Sequence, residues 1–282
     1  MSIVLALASN KGGVGKTTTA VTIGSYFAFR RNWRVLIVDV DIQGHVGLFL
    51  GLRDATDIYK ESGLQKLLLE NQPIEKVAVR ARENLDIILN SFEAKDMEQK
   101  IMQLTRRDLL LREKLAGSKY DLIILDTAPA YSNLHLVALC ASDYCIIPTG
   151  AAFADLTGVN GVLETLNTLS LRGAPTPAII GALPTRFERV TVNTKNNYDD
   201  LVNILLDRNV QTLPPIPLDT NIKSCVDYGK TIWEYAPLCR GVKGYDTPLE
   251  HVKIPNSIGG YGGYLHLVEI LEIVMKRGGR KQ

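Results

Sequence analysis

Near the start of the chain an apolar, β-branched run stops at a glycine-rich turn, and the turn runs directly into a helical pattern. The run is Ile3-Val-Leu-Ala-Leu-Ala8, the turn is Asn10-Lys-Gly-Gly-Val-Gly-Lys-Thr-Thr18, and the helical pattern covers Lys16 to Arg31. Such a turn between strand and helix aims successive backbone N–H groups, here those of Gly12, Gly13, Val14 and Gly15, at one point, and the helix N-terminus adds positive potential there. The point suits a phosphate. Lys16 would reach the β- and γ-phosphates of a nucleotide, the Thr17 hydroxyl would coordinate Mg²⁺, and Thr18 would lie near the α-phosphate. Glycine turns ending in Lys-Thr arise by chance, but rarely in this strand–loop–helix setting.

The same alternation continues along the chain. Arg34–Asp39, Asn84–Leu89, Asp121–Asp126, Tyr144–Pro148 and Ala178–Leu183 read as buried strands. Helices are expected near Leu64–Glu70, Asp96–Leu115, Asn133–Cys140, Leu156–Leu171, Lys195–Asn209 and Tyr264–Lys276. Apolar strands alternating with helices indicate an α/β fold with a parallel sheet covered on both faces. No Gly/Ser-rich linker interrupts the pattern, so residues 1–282 read as one domain. Residues 241–263, rich in Gly, Pro and Tyr, are expected to form a long irregular surface connection, and 278–282 a basic tail.

Composition narrows the function classes. The chain has 32 Lys plus Arg against 30 Asp plus Glu, a formal net charge of +2, which excludes a histone-like polycation but leaves room for a local basic patch. No apolar run approaches the roughly 20 residues that span a bilayer, and Ile3–Ala8 is too short and lacks the basic lead-in of a signal peptide. The four cysteines (Cys140, Cys145, Cys225, Cys239) match neither a disulfide framework nor a zinc pattern, so reduced, mostly buried thiols in a cytoplasm are expected.

Lys11 departs from an ordinary phosphate loop, in which one lysine suffices. Two lysines bracketing the same glycines are drawn to the same charge, and the second is useful if it reaches a partner subunit's nucleotide. Nucleotide-dependent dimerisation follows as the hypothesis. With this lysine the loop Lys11–Thr18 resembles the deviant Walker A motif of the ParA/MinD superfamily of P-loop ATPases. Val38-Asp-Val-Asp-Ile-Gln-Gly44 is similar to that superfamily's Asp-x-Asp-x-Gln segment, and Leu122-Ile-Ile-Leu-Asp126-Thr-Ala-Pro129 to its Walker B strand. The resemblance continues through Pro184–Phe187, Ile216–Asp219 and Val226–Pro237, in the family's order, and is closest to the ParA/Soj branch. It implies a P-loop NTPase with a mostly parallel twisted sheet of about seven or eight strands and helices on both faces.

The resemblance also assigns roles by position. Asp41 matches the residue that orients the attacking water and supports the Mg²⁺ shell. Its place at a strand's C-terminal end beside the loop agrees with that, since ligands bind at this edge of an open parallel sheet. Asp39 is expected to be structural. Asp126 matches the Walker B acid that holds Mg²⁺ through water, and a carboxylate ending four apolar residues is costly to bury without a cation. Thr185, Arg186 and Phe187, with Pro217, Leu218 and Asp219, match loops that contact adenine and ribose, largely through backbone. ATP as the nucleotide comes from the resemblance alone.

ParA/Soj relatives bind nonspecific DNA as ATP dimers and release it on hydrolysis, which a ParB-like or adaptor partner stimulates. Arg189 and Lys223 fall where relatives place DNA-binding residues; Arg186, Lys195, Lys230 and the tail could add to the patch. The implied protein is a cytoplasmic, nucleoid-associated positioning ATPase with a slow, Mg-dependent hydrolytic switch. Its cargo is left open among a plasmid, a chromosome origin and a protein body. The alternative is a MinD-like, membrane-associated ATPase, disfavoured because the tail has no aromatic or leucine anchor. The loop begins about ten residues in, leaving no room ahead of it for a helix-turn-helix, so the longer operator-reading plasmid type is not expected. No iron–sulfur site is expected from the cysteines.

Overall fold

The computed structural model describes residues 2–52, 62–91, 96–129, 132–150, 155–188, 192–246 and 261–278. Its strands are β1 (Ile3–Leu7), β2 (Val35–Asp39), β3 (Val79–Arg82), β4 (Leu85–Ile88), β5 (Leu122–Asp126), β6 (Tyr144–Thr149) and β7 (Ala178–Pro184). They form one seven-stranded sheet in the order β3-β4-β2-β5-β1-β6-β7. Every pairing is parallel except β3–β4. The sheet is the mostly parallel α/β architecture read from the alternating strands and helices. β3 was not expected: four residues, Val-Arg-Ala-Arg, are too few for alternation to stand out, and the strand exists because β4 offers it an edge.

The helices are α1 (Lys16–Arg31), α2 (His45–Phe49), α3 (Gly63–Leu69), α4 (Ile74–Val77), α5 (Met97–Met102), α6 (Leu110–Leu115), α7 (Asn133–Ala141), α8 (Leu156–Leu171), α9 (Val192–Asp207), α10 (Thr220–Asp227), α11 (Ile232–Tyr235), α12 (Arg240–Lys243) and α13 (Gly263–Gly278). Because strand side chains alternate between faces, Leu5, Leu7, Val35, Ile37, Leu122 and Ile124 pack with Phe27 of α1 and Leu267, Val268 and Leu271 of α13. Leu36, Val38, Ile123 and Leu125 face the other way, under Leu64 of α3, Leu111 of α6 and Val137 of α7. Towards the β7 edge, Ala6 of β1 and Cys145 and Ile147 of β6 pack beneath Val159 and Val162 of α8 and Leu201 and Leu205 of α9. Each such large side chain contributes about 1.5–3 kcal/mol on burial. The apolar stripe of α13 is therefore taken up by the sheet. No helix among the described residues is long and apolar enough to cross a membrane.

One expected helix, Asp96–Leu115, is instead α5, a 3₁₀ turn at Arg107–Leu109, and α6. The reason is tertiary. The Glu98 carboxylate accepts from the first-turn amides of Asn133 (2.9 Å) and Leu134 (3.3 Å), while Arg112 Nη1 donates to Cys140 O (3.2 Å) at the far end of α7. At 1.5 Å per residue a straight helix would separate residues 98 and 112 by about 21 Å, against roughly 10 Å between the two ends they hold. The chain bends to serve both.

α12 covers Arg240–Lys243, and Tyr245 and Tyr261 exchange backbone hydrogen bonds; residues 247–260, within the expected 241–263 connection, lie outside the described residues, as do 279–282.

Candidate functional site

Register places the site. Leu7 pairs with Asp126, and Asp126 with Asp39, so β1, β5 and β2 end at one level on the sheet's C-terminal edge. The chain leaving β1 turns through Gly13 (φ 70°) and Gly15 (φ 81°), both in the left-handed region. Gly15 precedes α1 and supplies no side-chain cap, so the first-turn amides of α1 are open to an anion.

Lys16 lies beneath this loop, 7% exposed, with Nζ donating to Ser9 O (3.3 Å) and Lys11 O (3.2 Å). Burial lowers its pKa, and the nearby Asp126 and Asp41 act against that shift. The Thr17 hydroxyl donates to Asp126 Oδ2 at 2.6 Å. Asp126 is 1% exposed, and its Oδ1 is buried without a hydrogen-bond partner. Burial pushes its carboxyl well above the usual range despite the Thr17 hydrogen bond and the Lys16 charge. A hydroxyl and a half-satisfied buried carboxylate beside a phosphate cradle fit a hard divalent cation, which favours oxygen ligands and would satisfy that acid.

The two acids after β2 differ. Asp39 is fully buried; its Oδ1 accepts from Asp41 N (3.2 Å) and its Oδ2 from Val46 N (3.0 Å), which holds the loop between them. Asp41 is half-buried, accepts from Gln43 N (3.0 Å), and is close enough to add to the upward shift of Asp126 and to oppose the downward shift of Lys16. Lys11 is 39% exposed and ion-paired through Nζ to Asp155, the residue that precedes α8.

On the other side of the loop, Thr185 Oγ1 donates to Val14 O (2.9 Å) and Thr149 O (3.2 Å), tying the end of β7 to the glycine turn. Arg186 is exposed with a left-handed φ of 52°. Phe187 is 3% exposed, its ring against Tyr198 (4.9 Å) and Tyr245 (6.1 Å), and its backbone is bound to the neighbouring loop: Phe187 N donates to Ile216 O and Leu218 N to Phe187 O, both at 2.9 Å. Asp219 caps α10, accepting from Asn221 N (2.9 Å) and Gly241 N (2.9 Å). Burial would raise its pKa, but these hydrogen bonds outweigh it and hold the carboxyl low. The side chains of Thr185, Phe187 and Asp219 thus bind protein, and Leu218, 45% exposed, presents an apolar surface beside the backbone of Pro217.

A family model described as an AAA domain matches residues 2–176. The chromosome-partitioning ATPase Soj of Thermus thermophilus is 32% identical over 88% of this chain and 94% of its own length. The chain belongs to the Soj/ParA family of partition ATPases. Among solved structures, an ATP complex of a McdA variant from Cyanothece shares the fold at a TM-score of 0.76, with 20% identity over 100% of this chain and 98% of that one. The Mycobacterium smegmatis cobyrinic acid a,c-diamide synthase, solved with an ATP analogue and magnesium, is 28% identical with a TM-score of 0.70, covering 81% of this chain and 93% of that one.

In this family member the fold brings Lys16, Thr17, Asp41 and Asp126 together, with Lys11 at the rim. Lys223 is exposed on α10, as are Arg186 and Lys230 on their loops. Arg189 lies outside the described residues, and the side chain of Lys195 does too. Two neighbours of the loop were not anticipated. Asp155 is 144 residues from the lysine it holds, with no local signal. His135 is buried in the first turn of α7, and burial, then the Lys16 charge, lowers its pKa to about 4.

Proposed function

We propose that this Soj/ParA-family chain binds ATP on Lys11–Thr18 and hydrolyses it to ADP and phosphate as a switch. The observation that carries the reading is the Thr17–Asp126 pair at 2.6 Å, with Asp126 Oδ1 unsatisfied and Lys16 curled beneath the same loop. The amides of Gly12 to Thr18 bind the phosphates, and Lys16 swings from the Ser9 and Lys11 carbonyls onto the β- and γ-oxygens. Thr17, with Asp126 and Asp41 behind it, would hold Mg²⁺, which neutralises charge on the β- and γ-oxygens when bound. Asp41, held by the turn at Gln43 and by Asp39's grip on residues 41 to 46, orients the water for in-line attack. Pro217 and Leu218, with the backbone of Thr185 to Phe187, enclose the base, and Asp219 acts by fixing that loop on α10.

Lys11 then leaves Asp155 for the phosphates of a second subunit, closing an ATP-bound homodimer. The dimer presents Lys223 and Arg189 twice and so binds nonspecific DNA on the nucleoid, while hydrolysis, stimulated by a ParB-like or adaptor protein, releases it. The burial of α13's apolar stripe gives no support to a membrane-bound cycle. Asp41→Ala should retain ATP affinity while turnover falls about 10²- to 10³-fold, the usual loss for a positioned catalytic group. Turnover unchanged in Asp41→Ala removes Asp41 from this role.

A further inference from the structure

The two ends of the candidate site are joined behind it. From the phosphate end, the chain passes Asp41, enters α2 after Gly44 and leaves at Leu50 and Gly51. From the base end, it passes Leu218, enters α10 after Asp219 and leaves at Tyr228 and Gly229. The two exits touch. Gly51 (φ 77°) and Gly229 (φ 62°) meet backbone to backbone: a Cβ on Gly51 would lie 2.8 Å from Gly229 O, and one on Gly229 would lie 2.6 Å from Gly51 Cα.

One guanidinium spans this junction. Arg82 Nη1 donates to Leu50 O (3.2 Å), Nη2 to Gly229 O (2.9 Å) and Nε to Glu234 Oε1 (2.9 Å). Glu234 is itself fixed, because its other oxygen accepts from Thr231 N (2.7 Å) in the capping box of α11, and Trp233 Nε1 fastens α11 to Thr22 O of α1 (2.8 Å). Arg82 sits at the irregularity of the β3–β4 ladder, where pairing shifts between Arg80 and Arg82, and such a bulge re-aims a side chain. Lysine could not replace it, since only the planar fork donates in three fixed directions.

We propose that Arg82 is a positioning residue that couples the Asp41 segment to α10, so that the arrangement imposed at Asp41 by a γ-phosphate is transmitted through α2 and the Leu50–Arg82–Gly229 bridge to the loop that encloses the base. The coupling rests on the nucleotide reading above. It gives α10, which carries Lys223, a direct mechanical report of which nucleotide is bound. Two loops bound to one rigid donor move together or lose its hydrogen bonds, and a two-state element biased from both sides is the physical requirement for coupling.

The test is hydrogen exchange on the full chain with Mg²⁺ and either ADP or the non-hydrolysable analogue AMPPNP, comparing the parent with Arg82→Lys and Arg82→Gln. In the parent, residues 10–18 are protected by both nucleotides and residues 220–228 exchange at least threefold more slowly with AMPPNP than with ADP. In both variants protection at 10–18 persists while the difference at 220–228 falls by half or more. Should either variant fold poorly, Glu234→Gln serves instead: glutamine keeps the capping box but removes Arg82's ionic partner, and the difference should again shrink. A parent without a nucleotide-dependent difference at 220–228, or variants that keep the parental difference, overturns the coupling. Absence of protection at 10–18 in the parent overturns the nucleotide reading itself.

Discussion

Lys11 is held by Asp155, and the proposed dimer gives it a second destination on the partner's phosphates. The ion pair is more than a third exposed on the lysine side, which places it among pairs worth about 0.2–1 kcal/mol. In the proposed dimer, breaking it would be a small cost against phosphate contacts to the second subunit, so the pair would set a threshold without blocking the switch. Asp155→Asn should lower the ATP concentration at which dimers form by about 1.4- to fivefold, the free-energy range of such a pair, with ATP titration followed by light scattering as the measurement. An unchanged midpoint means that Lys11 is not restrained by Asp155. Of this site, Asp41 and Asp126 are legible in the sequence because they lie at or within two residues of a strand end, and Lys16 and Thr17 because they open the helix that follows the glycine turn. The grip of Asp155 on Lys11 is not, because it depends on where α8 begins relative to a loop 144 residues away. Nor is the way Thr185, Phe187 and Asp219 turn their side chains to protein partners.

At the scale of elements, the segments defined by their own periodicity appear as read. α8 runs from Leu156 to Leu171, and β1, β2 and β5 match their apolar runs to within a residue. Segments defined by their neighbours do not. The apolar positions Met97, Ile101, Leu111 and Leu115 fall on one helical stripe, yet the helix breaks because Glu98 and Arg112 bind opposite ends of α7. Glu98 carries the clearer consequence. As a carboxylate on the first-turn amides of α7 it satisfies two donors and opposes the helix dipole. Glu98→Ala should destabilise the protein by about 0.5–2 kcal/mol, as for loss of an N-cap, read from urea unfolding midpoints. A change within error would show that α5 takes its position from Met97 and Ile101 packing alone.

For the molecule as a whole, the burial of His135 makes stability depend on pH. Its folded pKa, about 4, lies below the unfolded value, about 6.5. The unfolded chain therefore binds the proton first as pH falls, and stability is lost between those two values and levels off below the lower one. At 1.36 kcal/mol per unit, this group alone accounts for roughly 2–3 kcal/mol between pH 7 and pH 4. His135→Asn should flatten that part of the profile in urea titrations; an unaltered slope would assign the acid sensitivity to carboxylates instead. The net charge of +2 on 282 residues takes its meaning at the same scale. On the proposed cycle, a weakly charged monomer that doubles a few exposed cations on dimerising would hold DNA in one nucleotide state and release it in the other.

The proposed switch turns on ATP, and not ADP, assembling two copies. The most direct measurement is sedimentation velocity with Mg²⁺, using Asp41→Ala to prevent turnover, alone and combined with Lys11→Ala. The expected result is a dimer of Asp41→Ala with ATP, a monomer with ADP, and a monomer in both nucleotides once Lys11 is removed. An Asp41→Ala protein that binds ATP yet remains monomeric, or that dimerises equally with ADP, contradicts the account.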